Sequence, residues 1–242
     1  MKRSRLLRYA LYQLSDYFWE RGVMVAAIAL LNLASSVISL HNLSPEERVI
    51  VPGNEVANAV LITFGTIMLL AVVFSSQELI GRSRKLGHYK LIFAKPANPA
   101  LFYGQLFAVN FLGTIILITI LAGVFSAVAT PVSVWGIAAV TACGFILLGG
   151  IGFLVSAFVN FDSLLVMGIV GVSLLVSAYG EAHGGIATTV AKVLPPVRQM
   201  HNMSVVMIGL DANITDVIWV LSYGTGAFIA GLVALHFREL AD

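Results

Sequence analysis

Six long apolar stretches constrain this chain more than any other feature of its sequence. They cover residues 22–40, 57–76, 101–126, 134–159, 163–180 and 217–235. A helix of about 20 apolar residues crosses a hydrocarbon core about 30 Å thick, and each stretch is close to that length. A soluble domain of 242 residues could not bury so much apolar surface with only 11% charged residues. The sequence therefore predicts an all-α, polytopic membrane protein with six transmembrane helices in one domain, residues 1–242.

The first apolar stretch follows a basic start, Met1-Lys2-Arg3, as the apolar part of a signal peptide does. It begins only at residue 22, however, and it is longer than the roughly 7–15 apolar residues usual in signal peptides. We therefore expect an uncleaved first span.

The positions of the cations predict how the spans are oriented. Eleven of them fall on one side of the predicted membrane: Lys2, Arg3, Arg5, Arg8, Arg21, Arg82, Arg84, Lys85, Lys90, Lys95 and Arg238. The other side carries three: Arg48, Lys192 and Arg198. Lysine and arginine accumulate in cytoplasmic loops, so both termini are expected in the cytoplasm.

Residues 1–20 have a helical pattern of their own. Leu7, Leu11 and Leu14 recur at three- and four-residue steps, with charged residues between them. This spacing predicts an amphipathic helix that lies along the inner membrane surface and turns into the first span near Arg21-Gly22. Its aromatic residues are expected at the headgroup level: Tyr9, Tyr12, Tyr17 and Trp19.

The outer segment, residues 181–216, is long and only partly polar. Apolar residues recur at helical spacing on both sides of Pro195-Pro196, and a diproline interrupts a helix. The segment therefore predicts two short helices that lie on the outer leaflet or dip into it, with a loosely structured loop as the alternative.

The sequence lacks the residues that ion coupling, metal binding and ATP binding would require. No span has an ionisable residue across its centre, which an ion-coupled carrier needs. The five histidines stand apart, so no metal site is predicted, and no Walker sequence for ATP binding is present. With a net charge of +2 and cations clustered beside apolar spans, nucleic acid is not an expected partner, whereas membrane lipids are. The single Cys143 excludes an internal disulfide.

Small and hydroxyl-bearing residues inside the spans have two interpretations each. Thr63 and Thr66 in the second span, and Ser173 and Ser177 in the fifth, lie at helical spacing. Their hydroxyls could line a pathway or bond back to their own backbone carbonyls, and both interpretations stay open. The glycines of spans four to six favour close helix packing over hinges: Gly144, Gly149, Gly150, Gly152, Gly168, Gly171, Gly224, Gly226 and Gly231.

Residues 77–99 form the most charged segment between two spans. Its predicted site residues are Arg82, Arg84, Lys85, Gly87, His88, Tyr89, Lys90, Lys95 and Pro96. The apolar run 91–94 could hold a short helix against the inner surface, where a partner protein could dock. The cations could equally be topology anchors paired with anionic lipid, at about 1 kcal/mol each. The residues alone leave both interpretations open.

This layout resembles the type-2 ABC transporter permeases, the membrane subunits of exporters. The matching features are the amino-terminal helix, six spans, residues 87–96 after span two, Gly104-Gln105 in span three, Leu194-Pro195 before span six, and the terminal run 236–240. The resemblance covers essentially the whole chain, but its motifs are loose. The family often has an acidic residue before the loop glycine, where this chain has Arg84-Lys85-Leu86, and a lysine where it has Gln105.

The resemblance implies a function and a set of partners. The chain would be the permease subunit of an ATP-driven exporter in a bacterial inner membrane, with a hydrophobic or amphipathic cargo. Residues 82–95 would act as a coupling helix that docks on a separate ATPase subunit. Two such subunits would carry ATP and Mg²⁺, and a second permease, identical or homologous, would complete the transporter. This chain would not itself be an enzyme and would bind no cofactor.

Two interpretations from other classes remain. A non-transporting membrane scaffold or assembly factor would also lack charged spans. An intramembrane enzyme could use the outer segment, which contains His183 and His201.

Overall fold

A computed structural model describes residues 2–42, 44, 49–76, 99–158 and 162–239. Within these ranges the regular structure is helical, and no strand is present. The helices are α1 Lys2–Tyr17, α2 Val23–His41, α3 Glu55–Ser76, α4 Pro99–Val128, α5 Val134–Gly144, α6 Gly150–Phe158, α7 Asp162–His183, α8 Ile186–Val193, α9 Val197–Met203 and α10 Ile214–Glu239. Phe18–Gly22 and Phe145–Gly149 are π-helical, and Ser204–Ile208 is a 3₁₀ helix.

Six helical segments in the described part of the chain are long and apolar enough to cross a membrane. They are Ala10–His41, Glu55–Ser75, Ala100–Val128, Val134–Phe158, Leu165–His183 and Ile214–Leu235. Each contains or overlaps one of the six apolar stretches of the sequence. The prediction of an all-α, multi-pass membrane protein with six spans is therefore confirmed.

The two ends of the helical bundle are held together by different contacts. At one end, which we call the N-terminal end, Gln105 on α4 donates a hydrogen bond to Gln13 on α1 (3.3 Å), and the rings of Tyr103 and Phe153 pack edge to face. At the other, the backbone N–H of Ser133 donates to the carbonyl of Met207 (3.2 Å), between α5 and the 3₁₀ helix. We call this second end the hairpin end.

The fourth span, α5 to α6, is the centre of the bundle. In its most apolar window 78% of the residues are buried, against 50% or less in every other span. Its fully buried side chains include Ile137, Phe145 and Leu147. The other spans surround it and direct large apolar side chains outward, as expected of surfaces that face lipid.

Glycines allow α6 and α10 to approach at backbone distance. A methyl group on Gly150 would overlap the carbonyl oxygen of Gly224, and one on Gly224 would overlap the carbonyl of Ile146. Lipid gives no hydrophobic force between helices, so close contacts of this kind hold membrane helices together. At these two positions the glycines serve close packing, as the sequence predicts. Gly168, Gly171 and Gly226 instead face open space.

The N-terminal helix differs from its sequence prediction. It passes into α2 through the π-helical segment Phe18–Gly22 with helical backbone angles at both boundaries, so no loop separates it from the first span. It also packs against α4, and Tyr17, predicted at the headgroup level, is only 3% exposed. Tyr12 and Trp19 are exposed, as an interfacial position would require. Tyr17 is covered by protein neighbours, which leucine periodicity does not indicate.

The outer segment contains the two predicted short helices, one on each side of Pro195-Pro196. α8 packs on the end of α7, where the hydroxyl of Thr188 donates to the carbonyl of Gly180 (3.2 Å). α9 enters the bundle and buries Met200 and Met203, and the 3₁₀ helix buries Met207. The segment is shorter than predicted, since α7 continues to His183 and α10 begins at Ile214. We call α8 and α9, with the prolines between them, the hairpin.

Candidate functional site: a polar cluster at the N-terminal end

Five polar residues from four parts of the chain meet at the N-terminal end. They are Tyr17, Arg21, Ser75, Asn110 and Thr114, and we call them the junction cluster. They connect the end of α1, the π-helical segment, the last turn of α3 and the first half of α4. Ser75, Asn110 and Thr114 are almost completely buried. In a bundle made mainly of aliphatic side chains, this is the most polar contact between the described helices.

Three hydroxyl groups form the centre of the cluster. The Tyr17 hydroxyl lies 3.0 Å from Oγ of Ser75 and 2.9 Å from Oγ1 of Thr114. Oγ1 of Thr114 is also 2.9 Å from Oγ of Ser75 and 2.8 Å from the carbonyl of Asn110. Each hydroxyl can donate one bond and accept two, so the triangle satisfies all three groups without water. Buried hydroxyls are stable in this setting only because they are bonded to each other.

Arg21 extends the cluster with a positive charge. Its Nη1 donates to Oδ1 of Asn110 (2.6 Å) and to the backbone carbonyl of Ser75 (3.3 Å). The Asn110 amide is itself oriented, because its Nδ2 donates to the carbonyl of Leu106 (2.8 Å). Nη1 is therefore bonded to oxygen acceptors from the second and third spans. An arginine at this position resists separation of those spans, because it would leave a charge without its acceptors.

Gly113 makes the approach of α1 to α4 feasible. A methyl group at this position would come within 2.5 Å of Cδ1 and 2.6 Å of Cε1 in the Tyr17 ring. Only glycine leaves room for the ring to lie flat against the α4 backbone. The bonds at Gln13–Gln105 and at Tyr17–Thr114 also progress in the same direction along both helices. α1 therefore runs alongside the start of α4 in parallel with it.

The hydroxyl residues predicted to line a pathway have separate surroundings. Thr63 is buried and its Oγ1 lies 2.7 Å from Oγ of Ser36 on α2, so it joins the first and second spans. Ser173 is buried and donates to the carbonyl of Ile169 in its own helix (2.7 Å), which is the back-bonding alternative. Thr66 is exposed and Ser177 is partly exposed. No hydrogen bond joins the pair on α3 to the pair on α7 among the described contacts.

The predicted coupling segment lies outside the described residues over 77–98. This range includes Arg82, Arg84, Lys85, Gly87, His88, Tyr89, Lys90, Lys95 and Pro96. The described chain stops at Ser76 and resumes at Pro99, on the two helices that carry Ser75, Asn110 and Thr114. The junction cluster therefore holds together the two helices that the segment connects.

Sequence reasoning missed the junction cluster. Arg21 was counted only as a topology marker, and Ser75, Asn110 and Thr114 were given no role. One signal was present: Asn110 is the only amide side chain in the apolar stretch 101–126 apart from Gln105. A polar amide inside a span requires a bonding partner, and a nearby arginine is a suitable one.

The hairpin end has polar contacts of a different kind. Arg198 on α9 forms an ion pair with Glu181 near the end of α7, and both side chains are about half exposed. The Tyr223 hydroxyl on α10 donates to the carbonyl of Val193 (3.3 Å), at the last residue of α8. The aromatic ring of Tyr179 stacks on His183. The ion pair and the Tyr223 bond attach the hairpin to α7 and α10, whereas the stacked rings both belong to α7.

No group of three or more His, Cys, Asp or Glu side chains in the described ranges is placed to hold a metal ion. Comparison with protein-family models, with curated proteins and with solved structures finds no match.

Proposed function

We propose that this chain is the membrane-spanning permease subunit of an ATP-driven ABC exporter, in a bacterial inner membrane. In this proposal the N-terminal end is cytoplasmic, and residues 82–95 dock on a separate ATPase subunit. Two ATPase subunits, which bind ATP and Mg²⁺, and a second permease complete the transporter. The cargo is a hydrophobic or amphipathic molecule that moves along the interface between the two permeases.

The junction cluster is the observation that carries the proposal. A permease driven from outside the membrane needs a rigid connection between the docking segment and the spans that move. Tyr17 and Arg21 bond to Ser75, which is two residues before the segment, and to Thr114 and Asn110 on the helix after it. A force on residues 77–98 would therefore reach the first, second and third spans together.

The charge distribution supports the same conclusion. The six apolar stretches of the sequence have no ionisable residue across their centres, where an ion-coupled carrier holds its proton or ion. Energy would have to enter from a partner. The five cations between residues 82 and 95 offer a surface on which a soluble protein can dock.

Co-purification tests the proposal. The full chain, tagged at its C-terminus and expressed in its own host, would be extracted in mild detergent and its partners identified by mass spectrometry. We expect an ATP-binding protein in a one-to-one ratio with the chain, and ATP hydrolysis by the purified complex. A matched chain with Arg82, Arg84, Lys85 and Lys90 replaced by glutamine should insert normally but lose the partner.

Two results would contradict the proposal. Recovery of the chain without an ATP-binding protein, under conditions that keep other membrane complexes intact, would favour a scaffold or assembly factor. An activity that needs no partner and is lost when His183 and His201 are replaced would favour an intramembrane enzyme.

A further inference from the structure

The hairpin carries a lysine into the depth of the bundle. α8 runs eight residues from Ile186 to Val193, about 12 Å at 1.5 Å per residue. Its last carbonyl accepts a hydrogen bond from Tyr223, which lies nine residues, or about 13 Å, along α10 from Ile214. The two lengths agree, so α8 descends from the hairpin end towards the middle of the bundle.

The second arm of the hairpin gives an independent measure of this depth. A methyl group on Gly144 would come within 2.9 Å of Cε of Met200, in the first half of α9. Gly144 is ten residues along α5 from Val134, about 15 Å from the hairpin end. The 3₁₀ helix then returns to the hairpin end, where Val206 touches Gly136. The hairpin therefore enters the bundle to roughly half the thickness of a hydrocarbon core.

Lys192 is the penultimate residue of α8, the descending arm of the hairpin, and its side chain is exposed. Among the described residues no carboxylate pairs with it, whereas Arg198 is neutralised by Glu181. An uncompensated ammonium among lipid chains is costly, and a lysine avoids the cost by extending its stem towards the headgroups. Side chains of a helix point back towards its N-terminus, which for α8 is the hairpin end. The ammonium therefore reaches upward along α8.

The exposed side of α8 is divided into a polar edge and an apolar stripe. At 100° per residue, Ile186, Val190 and Val193 fall on one stripe, and they are 84%, 42% and 73% exposed. Thr189 and Lys192, also exposed, lie on one side of this stripe, about 60° and 120° around the helix from Ile186. On the other side of the stripe α7 approaches α8, where Gly180 lies against the backbone of Ala187. The open side of α8 is thus amphipathic along its length and carries one unpaired cation.

We propose that this side of α8 binds an anionic lipid from the leaflet at the hairpin end. The lipid phosphate pairs with the Lys192 ammonium and accepts a hydrogen bond from the Thr189 hydroxyl. An acyl chain runs inward from the phosphate along Val190 and Val193. A zwitterionic lipid fits the apolar stripe equally well but gains less from the cation, so charge complementarity selects the anionic lipid. This inference does not depend on the transport function.

Fluorescence quenching by brominated lipids tests the site directly. The full chain would carry Trp19→Phe, Trp135→Phe and Trp219→Phe, and a single reporter tryptophan introduced by Val190→Trp beside Lys192. It would be reconstituted in vesicles of phosphatidylcholine mixed with phosphatidylglycerol, with one of the two lipids brominated on its acyl chains. We expect phosphatidylglycerol to be preferred at the reporter about fivefold, the factor that corresponds to about 1 kcal/mol per cation.

Matched variants separate this site from general attraction to the protein. Lys192→Gln should abolish the preference for phosphatidylglycerol, so that the two lipids quench about equally. Lys192→Arg should retain the preference. Arg8→Gln, which removes an exposed cation from α1 at the other end, should leave it unchanged. A chain that keeps only the native Trp135, an exposed residue at the start of α5, should show no preference.

Two outcomes would overturn the proposal. One is equal quenching by the two lipids at position 190 in the chain with Lys192. The other is a preference that persists in Lys192→Gln. Circular dichroism and the midpoint of detergent-induced unfolding would establish that each variant is folded, so that a lost preference reports on the site.

Discussion

The guanidinium of Arg21 and the side-chain amide of Asn110 lie 2.6 Å apart across the first and third spans. The charge of Arg21 is met by the oxygen of a neutral amide whose nitrogen is bonded to its own helix. Bonds from charged donors are stronger than neutral ones. The first span is thus fixed to the third at Asn110, eleven residues along α4 from Pro99, where residues 77–98 end. This relationship and the neighbouring hydroxyl triangle lead to the first two predictions.

Tyr17→Phe should weaken the contact between α1 and α4 without displacing the ring. The change removes one hydroxyl, while Ser75 and Thr114 stay bonded to each other at 2.9 Å. We expect a loss of about 1 kcal/mol in the free energy of unfolding. The midpoint of unfolding in mixed detergent micelles measures it. Tyr12→Phe, on an exposed tyrosine of the same helix, is the control, and an equal loss in both variants would contradict the role of the triangle.

Gly113→Ala should separate α1 from α4. The new methyl would meet the Tyr17 ring at 2.5 Å, and the ring cannot move away without breaking its hydroxyl bonds. Overpacking of this kind costs about 1–3 kcal/mol. Gly123→Ala on the same helix has open space and should be neutral. Cross-linking between cysteines placed at positions 13 and 105 would report the separation directly, since it should fall in Gly113→Ala only.

Gly224→Ala should be the most damaging glycine substitution on α10. Its methyl would overlap the backbone of Ile146 and Leu147, and a backbone contact has no flexible end that can yield. We expect a loss of about 3 kcal/mol or more, or failure to fold. Gly226→Ala, two residues away in open space, serves as the control and should express and unfold like the unmodified chain. Similar yields of the two variants would show that α6 and α10 do not pack as described.

Replacing Arg84, Lys85 and Lys90 together with glutamine should uncouple the transporter. The proposed coupling segment would lose three of its five cations, while the cations before the first span still favour the same orientation. We expect cargo-stimulated ATP hydrolysis to fall at least severalfold, with insertion unchanged. Stimulated hydrolysis in proteoliposomes, normalised to the inserted chain, measures the effect. A stimulation equal to that of the unmodified complex would exclude a coupling role for these cations.

The sequence was sufficient to predict the six spans, but it did not indicate which spans contact each other. Apolar length alone determines whether a helix can cross a membrane, so all six spans were found. Their boundaries agree within about three residues, except that the first span begins at Ala10 and not at residue 22. The diproline likewise predicted where the hairpin divides. Which helices touch depends on the matching of shapes between distant segments. Gly150 and Gly224 are 74 positions apart, and no local pattern indicates that they meet.

The same limit explains the junction cluster and the dispersed hydroxyls. Tyr17 and Thr114 are 97 positions apart, so a tyrosine with helical spacing was assigned to the membrane surface although it is buried. Thr63 and Ser173 were grouped by chemistry, whereas each satisfies its hydroxyl with a neighbour of its own. Single-sequence patterns identify which residues require a partner, but they do not identify the partner.

The length of α4 has a mechanical consequence. Its 30 residues extend about 45 Å, whereas a hydrocarbon core is about 30 Å thick. An upright α4 with Val128 at one edge of that core would therefore project about 15 Å beyond the other edge. α1 braces this projecting part through the bond between Gln13 and Gln105. In the proposed transporter this projection would act as a lever arm whose fulcrum is the bond between Arg21 and Asn110. A small push at Pro99 would be converted into a tilt of the third span, on the far side of that fulcrum.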